Sequence, residues 1–482
     1  MVKGGGEGQA VAVTLRGGSL DRLNPTTTMP DSLPFDNSRS EQATPLATTI
    51  LEWLIEPLAA AGYHRPFAKR LAVLVSGALV ANTARRGDLA TALVGLHLSA
   101  ATPESIARRI ARLLDDPAAD PARLLPALFT PELLAELLRG ELTAHAANVA
   151  SGVAHHQRFR PLHLVVDLTS KAEQVVVLAV GLAYRGIVLP LAARTWPHNQ
   201  ALAPDTYWQH LLSALSEVPA RVPSVLREHV LLVADRAFGV PRMVDAANAL
   251  GWAWVLRVQG RVQVRLSEGT IRPLRTLVAH PGATWFSGFA PVTLSEDDPL
   301  PTVAVFQDAG WRPAQVIAVW DARADEPWLL ITNRAASRDQ VLAYAHRWAI
   351  ERLFLSWKSH GWDLETLHLR TPARVGRLVA ALAIATFCCL RIGAAHADTL
   401  LAEVADRAAH PIAVCQPPLP GFGPTPPDHR PYPAHFRLFS WGRKVLALSA
   451  ACSHTPAFCR VLPHWQAPIW SIQCSQIREA AA

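Results

Sequence analysis

Lysine is scarce in this sequence of 482 residues, since only five of the 46 lysine and arginine residues are lysine. Arginine therefore carries nearly all of the positive charge, and the formal net charge is +7. Arginine suits phosphate recognition because its guanidinium group can form two parallel hydrogen bonds with one phosphate. The excess is modest for this length, so it permits a polyanionic partner without requiring one.

Cysteine is also rare, and none of the six cysteines belongs to a Cys-x-x-Cys pair. This usage argues against a disulfide framework and favours reduced thiols in the cytoplasm. The spacing of Cys452, His454, Cys459 and His464 is irregular, so a zinc site there is a minor alternative. No lysine follows a glycine, which argues against a phosphate-binding loop and a nucleotide-driven motor.

Long hydrophobic runs are missing as well. The longest, Leu378 to Leu390, is shorter than the roughly 20 residues that span a bilayer, so it predicts a buried helix. The segment Met1 to Ala10 is rich in glycine and lacks the apolar stretch of a secretion signal. We therefore expect a cytoplasmic protein with no membrane association.

Changes in composition predict four regions. Residues 1–45 read as a disordered leader and residues 46–158 as a helical N-terminal domain. Residues 159–400 are predicted to form a mixed α/β catalytic domain, interrupted by a β-rich insertion at 260–328. Residues 401–482 begin with a proline-rich linker and end in a small C-terminal segment.

One helix of the N-terminal domain carries a group of arginines. Thr102 and Pro103 predict its start, because threonine caps a helix and proline fits the first helical position. Arg108, Arg109 and Arg112 follow, and they could lie along a phosphate backbone. From charge alone, an ordinary solvated face is the better interpretation.

Two acids follow apolar runs in the α/β region. Asp167 follows the run from Leu162 to Val166, and Asp235 follows the run from Val230 to Ala234. The predicted order is strand-strand-strand-helix-strand-helix-strand, with Asp167 ending the first strand and Asp235 ending the fourth. Either aspartate alone could instead cap a helix from a loop.

The most informative motif is a set of four residues on one predicted helix. At 100° per residue, Tyr344, Arg347, Glu351 and Lys358 fall within roughly 60° of one helical face. A carboxylate among a guanidinium, an ammonium and a phenol suits phosphoryl transfer, because the carboxylate can help hold a metal ion and the others can grip phosphates. The alternative is a structural ion pair between Arg347 and Glu351, which have i,i+4 spacing.

The spacing Y-x2-R-x3-E-x6-K resembles the signature of the insertion-sequence-four family of bacterial DDE transposases. Tyr184-Arg185-Gly186 and Leu329 to Asn333 are similar to other stretches of that family. Asp235-Arg236-Ala237-Phe238 is similar to its second-acid motif, although Ala237 stands where glycine is frequent. The resemblance covers roughly residues 160–390.

The resemblance implies an RNase H-like fold and a catalytic triad of Asp167, Asp235 and Glu351. These carboxylates would hold two Mg²⁺ ions, for which Mn²⁺ can substitute, while Tyr344, Arg347 and Lys358 would bind DNA phosphates. It also implies double-stranded DNA as partner, both element ends and target, and a homodimer that brings two ends together on nucleoid DNA.

The family has a β-rich insertion associated with a DNA hairpin intermediate, in which a flipped base stacks on an aromatic residue. Trp285, Trp311 and Trp320 are the candidates here, and packing within the insertion is the plainer interpretation of each. The predicted activity is cleavage at insertion-sequence ends followed by strand transfer. An RNase H-like nuclease or resolvase, and an inactive DNA-binding relic, are the alternatives.

Overall fold

The fold is that of a computed structural model, which describes residues 46–96, 99–152, 161–198, 202–287, 303–359, 361–409, 439–440 and 442–443. The predicted leader 1–45, most of the predicted C-terminal region and the four residues of the alternative zinc site lie outside these ranges. The chain divides into two compact units. One comprises residues 43–256 with 339–482, and the other comprises residues 257–338.

The larger unit begins with seven helices. They are α1 (Leu46–Ala60), α2 (Arg65–Ala81), α3 (Arg86–Gly95), α4 (Pro103–Asp115), α5 (Pro121–Leu128), α6 (Pro131–Leu137) and α7 (Arg139–Ala150). The start predicted at Thr102 is confirmed, since the Thr102 side chain accepts a hydrogen bond from the Ser105 amide at 3.3 Å. Ile106 and Ile110 of α4 are buried, whereas Arg108, Arg109 and Arg112 are exposed.

Five strands of a mixed sheet follow. They are β1 (Leu162–Lys171), β2 (Val175–Tyr184), β3 (Ile187–Pro197), β4 (Val230–Ala234) and β5 (Ala253–Arg257). Their order is β3-β2-β1-β4-β5. The pairs β3/β2 and β2/β1 are antiparallel, and the pairs β1/β4 and β4/β5 are parallel. Every residue of β4 is buried, as expected for a central parallel strand covered on both faces.

The first strand is longer than its apolar run, and the prediction that Asp167 ends it is wrong. β1 continues to Lys171 because Leu168, Thr169 and Ser170 still pair with β2. The parallel pairing with β4, however, ends at Val166. Asp167 therefore lies at the point where the parallel pair ends, within a strand that continues as half of a hairpin.

The β2–β3 hairpin contains a register shift at Gly181, which faces Pro190 of β3. A Cβ atom at Gly181 would lie 2.3 Å from the Leu189 carbonyl oxygen, so only glycine fits. Proline has no amide hydrogen to donate to the ladder and is accommodated at such irregularities.

Five further helices lie among the described residues of the larger unit. They are α8 (Pro204–Ser216), α9 (Pro241–Ala249), α10 (Arg338–Ala345), α11 (Trp348–Lys358) and α12 (Pro372–Ala409). α8 and α9 connect β3 to β4 and β4 to β5, as predicted. Among the described helices, the segment Pro372–Ala394 of α12 is long and apolar enough to cross a membrane, but 89% of its apolar 18-residue window is buried inside the protein. The prediction of a buried helix at Leu378 to Leu390 is confirmed.

A tightened turn separates α10 from α11, so the prediction of one helix that carries Tyr344, Arg347, Glu351 and Lys358 is wrong. At this point the His346 amide bonds to Ala343 and the Arg347 amide to Tyr344, three residues back instead of four. No proline or glycine marks the site in the sequence. Such tightening inside a helical stretch is typical of functional positions and of local strain.

The smaller unit contains short strands: β6 (Gln263–Arg265), β7 (Ile271–Pro273), β8 (Thr284–Phe286), β9 (Val303–Val305), β10 (Arg312–Val319) and β11 (Trp328–Thr332). β10 is central here and pairs with β8, β9 and β11, all antiparallel. The described residues between 260 and 328 thus contain several short strands. The protein as a whole has the predicted mixed α/β architecture.

Candidate active site

The backbone at the end of the β1/β4 parallel pair fixes Asp167. One carboxylate oxygen accepts a hydrogen bond from the Leu168 amide at 2.8 Å. The other accepts from Arg347 Nη1 at 3.2 Å. The side chain is largely buried, with 17% of its surface exposed. The hydrogen bonds hold the carboxylate in one orientation at the edge of the sheet core.

Asp235 follows the last residue of β4 directly. Its carboxylate accepts a hydrogen bond from the Ala237 amide at 2.6 Å, which closes a tight turn. Because β1 and β4 are parallel and Val166 pairs with Ala234, Asp167 and Asp235 emerge side by side at the same end of two neighbouring strands. The predicted strand-end position of Asp235 is confirmed.

Glu351 lies in the first turn of α11 and is connected to Asp167 through Arg347. Arg347 Nη2 lies 2.5 Å from Glu351 Oε1, while Nη1 of the same guanidinium reaches Asp167. The arginine side chain is only 11% exposed, and its Nε is buried with no hydrogen-bond partner in the described part of the protein. One cation thus links two acids that are 184 positions apart in the sequence.

Burial raises the pKa of Asp167 from 3.8 to about 6. The Leu168 hydrogen bond and the charge of Arg347 lower this pKa, whereas the negative charges of Asp235 and Glu351 raise it. Burial therefore outweighs the ion pair with Arg347. All three acids interact electrostatically at this site, and a desolvated carboxylate close to two others is typical of a functional site.

The donor chemistry of this site fits a hard divalent cation, because three carboxylates offer oxygen ligands. The three carboxylates, however, are not grouped tightly enough to hold an ion in this arrangement. Among the described residues, no three His, Cys, Asp or Glu side chains lie close enough together to hold a metal ion. In this arrangement the guanidinium of Arg347 supplies the positive charge between Asp167 and Glu351.

The other two residues of the four-residue motif have different surroundings. Tyr344 is fully buried. Burial lowers the pKa of Arg347, but Tyr344 and Glu351 raise it, and the net shift is upward. Lys358, at the end of α11, forms an ion pair with Glu365 at 3.2 Å. The motif does not form one exposed stripe, because the turn at Arg347 interrupts the helix.

Three neighbours of the site carried no clear signal in the sequence. Tyr207 of α8 has a pKa raised to about 12 by burial and by the charges of Asp167 and Asp235, so its hydroxyl stays protonated. Trp348 is 49% exposed, with the Arg347 guanidinium 5.1 Å from its ring centre. His163 of β1 stacks on His346 of the tightened turn at 4.0 Å.

The three tryptophans considered for base stacking belong to the smaller unit. Trp285 lies on β8 opposite Ala318. Trp311 lies beneath Arg265, whose guanidinium is 4.9 Å from the ring centre. The Trp320 indole donates a hydrogen bond to the Ala324 carbonyl oxygen at 2.9 Å.

Comparison with known families connects this geometry to a class of enzymes. Residues 203–388 match the family model of the transposase DDE domain. The match covers less than half of the chain and includes Asp235, Arg347 and Glu351, whereas Asp167 precedes it. It indicates a transposase-type enzyme that cleaves nucleic acid, with DNA as substrate. No curated protein matches the chain.

Proposed function

We propose that this protein is a DDE transposase of the insertion-sequence-four type, with Asp167, Asp235 and Glu351 as its catalytic acids. It would cut DNA at the ends of an insertion sequence and join the freed 3′ ends to target DNA. The observation that carries the proposal is the double hydrogen bond of Arg347, which connects Asp167 to Glu351 beside Asp235. The DDE domain match, which contains two of these acids, supports it.

We propose an RNase H-like core for the catalytic domain. The strand order β3-β2-β1-β4-β5, with an antiparallel hairpin followed by two parallel strands, supports this assignment. So do the neighbouring positions of Asp167 on β1 and Asp235 after β4. The third acid is supplied by a helix, Glu351 on α11.

Two Mg²⁺ ions, or Mn²⁺ in their place, would be held by Asp167, Asp235 and Glu351 once the carboxylates draw together. When bound, such ions polarise the scissile phosphate and lower the pKa of the attacking oxygen. For the acids to approach, the guanidinium of Arg347 has to release at least one carboxylate. Arg347 would therefore either neutralise the acids or bind a phosphate, but it would not do both at the same time.

The other residues of the motif bind and orient DNA in this proposal. Arg347 has a buried Nε without a partner in the described residues, so its guanidinium can donate hydrogen bonds to a phosphate oxygen as the carboxylates turn away. Lys358 would exchange Glu365 for a phosphate, which is feasible because both side chains are about 30% exposed. Tyr344 is buried, so it would fix the position of Arg347 unless the turn at His346 opens.

The N-terminal region, residues 46–158, is proposed to bind the element ends, chiefly through the exposed arginines of α4. Two copies of the chain would bring two ends together as a homodimer, in the cytoplasm on nucleoid DNA. A hairpin intermediate would place a flipped base on Trp285, Trp311 or Trp320 of the β-rich unit.

The experiment that tests this function follows the DNA products. The full chain is incubated with Mg²⁺ and a plasmid that carries the flanking terminal repeats, together with a target plasmid. Excised element and joined target support a transposase. Nicks without joining would favour an RNase H-like nuclease or resolvase, and binding without cutting would favour a relic. Asp235→Asn is expected to abolish all products, whereas Asp88→Asn on α3 leaves them unchanged.

A further inference from the structure

An open cleft lies beside the candidate active site in the larger unit. Its volume is about 420 Å³, and it lies between the end of the β2–β3 hairpin and the start of α8. Three aromatic residues, Trp196, Tyr207 and Trp208, form much of its wall, and Leu168 of β1 closes one side. A cleft of this size accommodates one small ligand, because most ligand sites have roughly 300–1,000 Å³.

The aromatic rings are held in fixed orientations. Trp196 is buried and stacks face to face on His210, with ring centres 5.5 Å apart. Tyr207 meets Trp196 edge-on at 6.1 Å and Trp208 edge-on at 5.6 Å. Trp208 is only half-buried, so part of its surface remains available in the cleft. This arrangement offers flat apolar surfaces that are already positioned.

The cleft lies near the acids, at the edge where the β1/β4 parallel pair ends. Leu168, which lines it, follows Asp167 directly in β1, although neighbouring side chains of a strand point to opposite faces. Tyr207, which also lines it, lies within electrostatic range of both Asp167 and Asp235. A ligand that contacts Tyr207 in the cleft is therefore close to the carboxylates at which DNA would be cut.

Positive charge lies at the rim. The Arg242 guanidinium is 5.8 Å from the centre of the Trp208 ring and pairs with Asp205 at 3.0 Å. Both members of this pair are more than half exposed, at 54% and 79%. An exposed pair contributes little stability, so Arg242 can exchange Asp205 for a phosphate at small cost.

We propose that the cleft of Trp196, Tyr207 and Trp208 binds an unpaired nucleotide of the DNA strand that is cut. The base lies against Trp208, and Arg242 contacts the adjoining phosphate. Stacking on aromatic side chains combined with a nearby cation is the general mode of single-stranded DNA binding, and it tolerates any base. A volume of about 420 Å³ fits a single nucleotide, so an unpaired nucleotide is the expected ligand. The assignment to the cut strand rests on the proposed transposase function.

The test measures binding of the full chain to a fluorescently labelled single-stranded oligonucleotide of mixed sequence, by anisotropy, without divalent cations. The probe for comparison is the blunt duplex of the same sequence. Trp208→Ala is expected to weaken single-strand binding roughly 5- to 150-fold, while duplex binding changes less than about twofold. Trp208→Phe is expected to restore most of the affinity, because it keeps an aromatic face.

Trp328→Ala provides a matched control, since Trp328 is also half-buried and lies on β11 opposite Val319. It should leave single-strand binding unchanged. Equal loss in Trp208→Ala and Trp328→Ala, equal loss for single strand and duplex, or no loss in Trp208→Ala would each overturn the proposal.

A second measurement uses the wild-type protein and does not depend on a variant that folds. A single-stranded oligonucleotide containing 5-iodouracil is photo-crosslinked, and the attached peptides are identified by mass spectrometry. Crosslinks to Trp196, Tyr207 or Trp208 support the proposal, and crosslinks confined to other peptides overturn it. Neither measurement requires cleavage, so loss of the cleft assignment is distinguishable from loss of the proposed function, which is tested by Asp235→Asn.

Discussion

The guanidinium of Arg347 donates one hydrogen bond to Asp167 and another to Glu351, at 3.2 and 2.5 Å. Without it, the negative charges of Asp167, Asp235 and Glu351 would repel one another in a partly desolvated site. Without bound metal, Arg347 therefore stabilises the acids. Its guanidinium lies where the positive charge of a metal ion would act during catalysis. Arg347 thus holds the acids in position and also occupies the space between Asp167 and Glu351.

Replacement of Arg347 should lower stability and increase the response to metal. Arg347→Ala is expected to cost roughly 2 kcal/mol of unfolding free energy, less than for a fully buried pair because Glu351 is partly exposed. Added Mg²⁺ should then raise the melting temperature of Arg347→Ala more than that of the wild type. Arg347→Lys is the control, since it keeps the charge but loses the fork. An equal response to Mg²⁺ in all three proteins would contradict this role.

Stability should depend on pH through Asp167. Its pKa is raised from 3.8 to about 6, so the folded state favours the protonated carboxyl. In the absence of metal, the unfolding free energy should fall by up to about 3 kcal/mol as pH rises from about 4 to about 6. Chemical denaturation of Asp167→Asn should show a flatter profile in this window. Asp339→Asn on α10 should keep the wild-type profile, and a wild-type profile in Asp167→Asn would refute the assignment.

The exposed arginines of α4 should contribute to DNA binding through charge. Replacing both Arg109 and Arg112 with alanine is expected to weaken binding to duplex DNA and reduce the salt slope, log K against log salt, by about 2. Lysine at both positions should preserve the slope, because a point charge also releases counterions. An unchanged slope in the alanine variant would mean that these arginines form an ordinary solvated face.

The tryptophans of the β-rich unit should matter only if cutting passes through a hairpin. Replacing Trp285, Trp311 and Trp320 together by alanine should block hairpin closure, while the first nick at the element end still forms. Denaturing gel electrophoresis separates the two products. Normal hairpin closure in the triple variant would exclude base stacking on these residues.

Much of the framework could be predicted from local sequence. The cap at Thr102 and the apolar strand before Asp235 are governed by nearest neighbours, and both predictions are confirmed. The end of β1 was misplaced because Leu168 to Ser170 look like a loop, yet pairing with β2 keeps them extended. Strand pairing is a tertiary property that the residues of one strand do not reveal.

The site itself depended more strongly on tertiary contacts. The spacing of Arg347 and Glu351 indicates their ion pair, but nothing local indicates that Asp167, 180 positions away, shares the same guanidinium. The tightened turn before Trp348 has no breaker residue to announce it. The sequence also does not indicate Tyr207 or the aromatic cleft, because two aromatic residues at the start of a helix usually indicate packing.

The central claim is that Glu351 is one of three acids that cut DNA with a divalent cation. The most direct measurement is the rate of Mg²⁺-dependent cleavage at the element end by wild type, Glu351→Gln and Glu132→Gln, the last being another exposed glutamate in the first turn of a helix. The account predicts that Glu351→Gln loses at least about a thousandfold in rate while DNA binding and the Glu132→Gln rate stay near wild type. Cleavage by Glu351→Gln at a rate close to wild type would contradict it.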